Sequence, residues 1–419
     1  MVRISQFLPA LAALTRPTLA TPIDPPPLNI DLINWWTKNI FICPLWRGEL
    51  PVGFRDLAAS ICYNSQTKTY THGTVTTRLY QIPGAWQQDD RYSEIINGAG
   101  SAIQKGLATF GSFVSQPLAI NIGFAWGGLG DRVQIDSDNS GVKSPCYILI
   151  NYPPSWVDIP LQALQKDIIQ RMYQCVEQFH KPTVTTLTEA NEWWRLGIAR
   201  YFDGLSYPAK PAFHTYGLYP EEYHYGITLY QNDEAASLFF HFAQQQGWTP
   251  SDVNTWMKGH ANKATYDQER TILSADTKIT SGLWHKFILA SIDGTIKYPN
   301  GQKITNTQGG PPKRTHSGVV DLTVGQNWSK TVSVSSFKGN TQVITFKAGQ
   351  TLKVSMDPIV GVEWSFRKVG TTAWNTGDRA RTVNVVVPAG VNVKYEIALS
   401  STVAGAGANY PRVLVKRSA

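Results

Sequence analysis

The sequence predicts a mixed α+β domain followed by a β-sandwich. Residues 161–202 read as two consecutive helices. The segments before them alternate between strand and helix patterns. From residue 319 onward, short alternating runs separated by Gly, Asn and Pro turns replace every helical period.

Taken in order, residues 1–20 read as a secretory signal. Arg3 supplies the positive start, Ile4 to Leu14 a short apolar run, and Thr18-Leu19-Ala20 a small-residue cleavage site. That run is too short to span a membrane, and no other stretch reaches about eighteen apolar residues. The expectation is an exported, extracellular monomer with no membrane span. Residues 21–64 form a Pro- and Trp-rich lead-in, with Pro25, Pro26, Pro27, Trp35, Trp36 and Trp46.

Residues 65–296 carry the first domain. Residues 69–81, rich in Thr, Tyr, Val and Leu, read as a strand. Residues 92–113 read as a helix with Ile95, Ile96, Ala99, Ile103, Leu107 and Phe110 on one side, although its glycines weaken it. Residues 117–126 and 146–151 read as strands. Between them Asp136-Ser137-Asp138-Asn139-Ser140-Gly141 is similar to the start of a calcium loop. Tyr147 stands where the loop needs its closing Glu, so a polar turn is the better reading.

In residues 161–180, Leu161, Leu164, Ile168, Met172, Cys175 and Phe179 recur at the spacing of one helical face. Pro182 ends this helix, because proline donates no amide hydrogen. Thr188 can cap the next helix, in which Trp193, Leu196 or Gly197, and Tyr201 share a side. An aromatic loop occupies 207–230. A helix at 234–245 turns Leu238, Phe239 and Phe242 inward, and Thr249-Pro250 starts another. Residues 297–318 read as a linker containing Lys313-Arg314, a candidate processing site. In the sandwich at 319–419 the strand runs are 319–324, 330–334, 342–347, 351–356, 362–368, 382–387 and 391–399.

Composition narrows the function. Hydrophobic residues are 42% and charged residues 16%, as in a folded, weakly charged protein. The net charge of +8 is scattered, with no run of five basic residues, and no nucleic-acid-binding signature occurs. Cys43, Cys62, Cys146 and Cys175 suit two disulfides. Three pairings are open, and sequence order favours Cys43–Cys62 with Cys146–Cys175, each closing a modest loop. Asn327-Trp328-Ser329 is an N-glycosylation acceptor.

The segment Trp193-Trp194-Arg195-Leu196-Gly197-Ile198-Ala199-Arg200-Tyr201-Phe202 resembles Trp-Trp-x-Glu-Gly-x-Ala-x-Tyr-Phe of the zincin metallopeptidases, gluzincin-like. In that family the Glu is the third zinc ligand, and here it is Leu196. The preceding family helix carries His-Glu-x-x-His, which holds zinc on one helical face and activates water. The matching register puts Gln170 and Gln174 at the His positions and Arg171 at the Glu. Cys175 falls where family members often carry Cys. A second register, Val176-Glu177-Gln178-Phe179-His180, keeps the Glu and the second His. Neither register supplies three ligands, so no metal and no cofactor is expected. The resemblance implies a zincin-like domain at 65–296, with 146–151 as a sheet edge along which substrate lies. It also implies a cleft lined by Gln170, Arg171, Gln174, Trp193 and Leu196, and capped by Tyr223 and His224.

Other chemistry remains open. The eight histidines are dispersed, and each reads most simply as a surface or satisfied core residue. Two carboxylates across a groove suffice for glycoside hydrolysis. Glu177 shares the face of Gln170 and Gln174. Glu192 and Asp203 lie on the second helix, and Glu221 and Glu222 in the capping loop. Each alone reads more simply as solvated or salt-bridged, for example with Arg171. The 14 Trp and 18 Tyr could stack on sugar rings, but core packing accounts for most of them. No Gly-x-Ser-x-Gly elbow, phosphate loop or dinucleotide fingerprint occurs. The first expectation is a metallopeptidase-like protein without its zinc site that binds an extracellular polysaccharide or peptide. The alternative is a metal-independent glycosidase using Glu177 with Glu192, Asp203 or a capping-loop Glu such as Glu222. An active metallopeptidase with unrecognised ligands comes third.

Overall fold

A computed structural model describes residues 61–70, 73–81, 92–114, 118–126, 132–137, 143–152, 161–181, 189–208, 228–304, 315–377, 382–405 and 408–418. The chain divides into two compact units, residues 1–179 and 180–419. The mixed α/β character and the C-terminal pair of sheets agree with the sequence.

The first unit is built on a five-stranded sheet of order β1-β2-β3-β5-β4. Its strands are β1 (Ile61–Tyr70), β2 (Gly73–Gln81), β3 (Leu118–Trp126), β4 (Arg132–Ser137) and β5 (Lys143–Tyr152). Where one strand was expected at 69–81, two antiparallel strands reverse between Tyr70 and Gly73. The β-rich composition runs on through the reversal, and Gly73 is its one turn signal. Helix α1 (Tyr92–Phe110) connects β2 to β3, which therefore pair in parallel.

The expected edge strand at 146–151 is corrected. These residues belong to β5, which pairs in parallel with β3 and antiparallel with β4, so the strand is interior. The short strand β4, not foreseen, takes the edge. Asp136 and Ser137 close β4, and 138–142 lie outside the described residues.

Helix α2 (Leu161–His180) has the expected bounds. Two of the glycines that weaken α1 as an isolated helix, Gly98 and Gly106, lie against α2. A Cβ on Gly106 would lie 2.6 Å from Met172 Sδ, so a larger residue there displaces the end of the Met172 side chain. Phe110 and Tyr173 meet at 5.8 Å between ring centroids. Cys146 of β5 is bonded to Cys175 of α2. Among the described residues no cysteine is free, and Cys43 lies outside them.

The second unit begins with helices α3 (Glu189–Ser206), α4 (Ser237–Gln245), α5 (Pro250–Gly259), α6 (Tyr266–Ala275), α7 (Thr277–Thr280) and α8 (Leu283–Asp293). Leu238, Phe239 and Phe242 of α4 are buried as their spacing implied. Thr249 caps α5, accepting from the Asp252 amide at 3.1 Å, with Pro250 in the first turn. Thr188 and Pro182 lie outside the described residues. So does most of the expected linker. Of that segment, Lys297 and Lys303 form a bridged turn, and Thr315–Val320 is already a strand. Lys313 and Arg314 are among the residues not described.

The sandwich has a five-stranded sheet of order β11-β10-β13-β8-β6 and a four-stranded sheet of order β12-β9-β14-β7. The first comprises β6 (Thr315–Val320), β8 (Gly339–Phe346), β10 (Val362–Lys368), β11 (Asn375–Gly377) and β13 (Val393–Ser401). The second comprises β7 (Asn327–Thr331), β9 (Thr351–Met356), β12 (Val383–Val386) and β14 (Arg412–Arg417). Alternate residues of both sheets, among them Ile344, Phe366 and Ile397 facing Leu352, Val385 and Val413, form one apolar core.

Within this unit the helices dock on the sandwich through buried polar contacts. Phe337, a non-glycine residue at φ 52°, accepts the Leu229 amide at 3.1 Å and meets Trp284 at 5.7 Å. His285 of α8 sits between Ser400 of β13, 2.8 Å from Nδ1, and Ser365 of β10, 2.7 Å from Nε2. A neutral ring suits this seat, one nitrogen donating and the other accepting.

Burial holds the His285 pKa down to about 4. The unfolded chain therefore takes up a proton from about pH 6.5 downward that the folded chain refuses until about pH 4. Stability is intact above this window and falls through it by about 3 kcal/mol. Urea midpoints measured at neutral pH and near the bottom of the window should show this decline, and His285→Asn should flatten it.

Candidate functional site

The candidate residues that the structure describes fall on two helices, one in each unit. On α2, Gln170, Gln174 and Glu177 recur at four- and three-residue steps and share a face. That face is inward. Gln170 and Gln174 are buried, and Glu177 is fully buried at 0% exposure. Arg171 is half-buried and donates from Nη1 to Gln174 Oε1 at 3.1 Å. The helix is held in place by the disulfide one residue beyond Gln174.

On α3, Leu196 and Glu192 are half-buried, while Trp193, Trp194, Tyr201 and Phe202 are fully buried. Gly197 is needed for close approach, because a Cβ there would lie 2.8 Å from Ala236 Cβ and 3.2 Å from the Ser237 amide nitrogen. Asp203 is 1% exposed and paired with Arg200 at 2.9 Å. Burial, and after it the Asp252 charge, push the Tyr201 phenol above its ordinary range, so it stays protonated. Most of the motif-like segment is thus buried. Glu222, Tyr223 and His224 lie outside the described residues.

Sequence reasoning missed one buried polar cluster in the second unit. Glu269 of α6 is 0% exposed, and its Oε1 accepts from Trp193 Nε1 at 2.8 Å. The same oxygen lies 2.6 Å from Nε2 of the buried His260. Trp256 stacks on the His260 ring at 4.4 Å, and Trp194 meets it edge-on at 5.8 Å. Lys181 donates to the His260 carbonyl and lies 5.5 Å over Trp194. The six residues come from α3, α5 with its C-cap, α6 and the residue after α2, and only the aromatic density around 193 and 256 hinted at them.

Among the described residues no group of three His, Cys, Asp or Glu side chains could hold a metal ion. Also among them, no helix is long and apolar enough to cross a membrane.

No protein-family model and no curated protein matches the sequence. Solved structures give limited likenesses. The periplasmic inhibitor of g-type lysozyme from Aeromonas hydrophila is 17% identical over 25% of this chain and 100% of its own, with a TM-score of 0.19. The pre-peptidase C-terminal domain of a Bacillus anthracis collagenase is 12% identical over 26% of this chain and 100% of its own, with a TM-score of 0.18. The IMPa metallopeptidase of Pseudomonas aeruginosa is 11% identical over 82% of this chain and 46% of its own, with a TM-score of 0.15. These scores assign no family.

Proposed function

We propose that the protein is an exported, metallopeptidase-like protein without catalytic zinc, which binds an extracellular polymer, an extended peptide or a glycan, instead of cutting it. One observation carries this reading. The positions that the zincin resemblance gives to zinc ligands hold Gln170, Gln174 and Leu196, and the two amides are buried, with Gln174 bonded to Arg171. Glutamine is a poor zinc ligand and leucine is none.

Two of the four carboxylates that a glycosidase could use are a poor fit to solvent, whereas Glu192 is half-buried and Glu222 lies outside the described residues. Glu177 and Asp203 are buried, and Asp203 is engaged by Arg200. For an extended peptide, β4 offers the better surface. Among the described residues it is an edge of the sheet, paired only with β5. The outer edge of such a strand presents alternate amides and carbonyls to a chain laid along it.

Elemental analysis of the purified protein, dialysed against a weak chelator, tests the reading. The expected result is no stoichiometric zinc and no peptide hydrolysis when zinc is restored, with retention on immobilised peptide or polysaccharide. Near-stoichiometric zinc with chelator-sensitive hydrolysis overturns it. Polysaccharide cleavage abolished by Glu177→Gln would replace it with the glycosidase.

A further inference from the structure

We infer that Asn327 is a site of N-linked glycosylation and that its glycan covers the open edge of the sandwich. This rests on the export part of the reading above and not on polymer binding. The sequence contains one Asn-X-Ser/Thr sequon in which X is not proline, Asn327-Trp328-Ser329. The structure places it on β7, and the strand sorts its side chains as the modification requires. Successive residues of a strand point to opposite faces. Asn327 and Ser329 are both exposed and share the outer face, whereas Trp328 turns inward and packs against the sandwich core. The indole pins the strand, and the acceptor amide and the hydroxyl two residues on project together into solvent.

The surroundings leave room for a large substituent. Among the described residues β7 is the edge of its sheet and pairs only with β14, Asn327 opposite Lys416 and Ser329 opposite Leu414. Lys330 donates to Ser317 of β6 at 3.0 Å, fastening the end strands of the two sheets at this side. An uncovered edge strand invites pairing with another chain, and proteins commonly blunt such edges. A glycan rooted at the first residue of β7 does this without disturbing the core.

The chemistry is a group transfer from a lipid-diphosphate-linked oligosaccharide. The Asn327 amide nitrogen forms a bond to the anomeric carbon, and the bond from that carbon to the phosphate oxygen breaks. The lipid diphosphate leaves with the electron pair, and the amide gives up one proton to the transferring enzyme's base.

Expression of the full chain in a eukaryotic secretory host tests this. The expected product, recovered from the medium, carries the mass of one N-glycan. Peptide N-glycosidase removes that mass and converts Asn327 to Asp. Asn327→Gln and Ser329→Ala should each abolish the shift, and Ser329→Thr should keep it. Folded protein in the medium without the shift overturns the glycan while leaving export intact. Protein retained in the cytosol and unmodified overturns both. A shift that survives Asn327→Gln assigns the modification elsewhere and overturns the site.

Discussion

Replacing Arg367 by Met is expected to lower the stability of the second unit by about 3–5 kcal/mol. Arg367 joins helix to sheet. Its Nη1 lies 2.6 Å from Asp293 Oδ1 at the end of α8, and its Nη2 2.8 Å from Glu396 Oε2 on β13. Its Nε also donates to the same Glu396 oxygen at 2.8 Å, so Oε2 is held by two nitrogens of the guanidinium. The guanidinium lies 4.0 Å over the Trp374 ring, and Trp374 in turn donates to Asp293 at 2.9 Å. Glu396 is 1% exposed. Removing the cation leaves that carboxylate buried without the charge it was paired to, which costs more than the pair contributed. Denaturant unfolding of Arg367→Met and of the double variant Arg367→Met/Glu396→Leu decides the point. The double variant should recover much of the loss. If it falls as far as the sum of both single variants, the loss is one of volume and not of charge.

Trp193→Ala is expected to cost a similar amount, about 3–5 kcal/mol, because it empties a large core site. The indole is fully buried, stacked on Phe240 at 6.0 Å and edge-on to Trp256 at 5.8 Å. It also donates to Glu269, whose other oxygen finds no hydrogen-bond partner among the described residues. Trp193→Phe keeps most of the volume and deletes this donor, so it should cost about 1–3 kcal/mol. Chemical denaturation followed by far-UV circular dichroism measures both. Equal losses for Phe and Ala would show that the hydrogen bond to Glu269 outweighs the packing.

Much of the fold is legible in local patterns. The bounds of α2 follow from the stepwise recurrence of Leu161 through Phe179, and those of β9 and β10 from alternation between turn residues. What failed was short or non-local. Strand β11 has three residues, too few to show a period. Strand β4, Arg-Val-Gln-Ile-Asp-Ser, is polar enough to pass for the start of the loop beside it. That omission also misplaced the sheet edge, since β5 reads as terminal only while β4 is unseen.

The candidate site divides in the same way. That Gln170, Gln174 and Glu177 share a face is a property of helical spacing, and the burial of all three agrees with it. The cluster of Trp193, His260 and Glu269 joins residues 76 and 9 positions apart, and no period links them. The pairing of Cys146 with Cys175 was legible because it closes a loop of separation 29 beside a strand and a helix already recognised.

That bond lies wholly within residues 1–179, whereas the neutral imidazole wedged between two serines lies within 180–419. The halves of the chain are thus held by devices of unlike chemistry. A reducing compartment attacks the first and leaves the second untouched. An acidified one does the reverse. Both halves keep their full strength together only where the surroundings are oxidising and close to neutral.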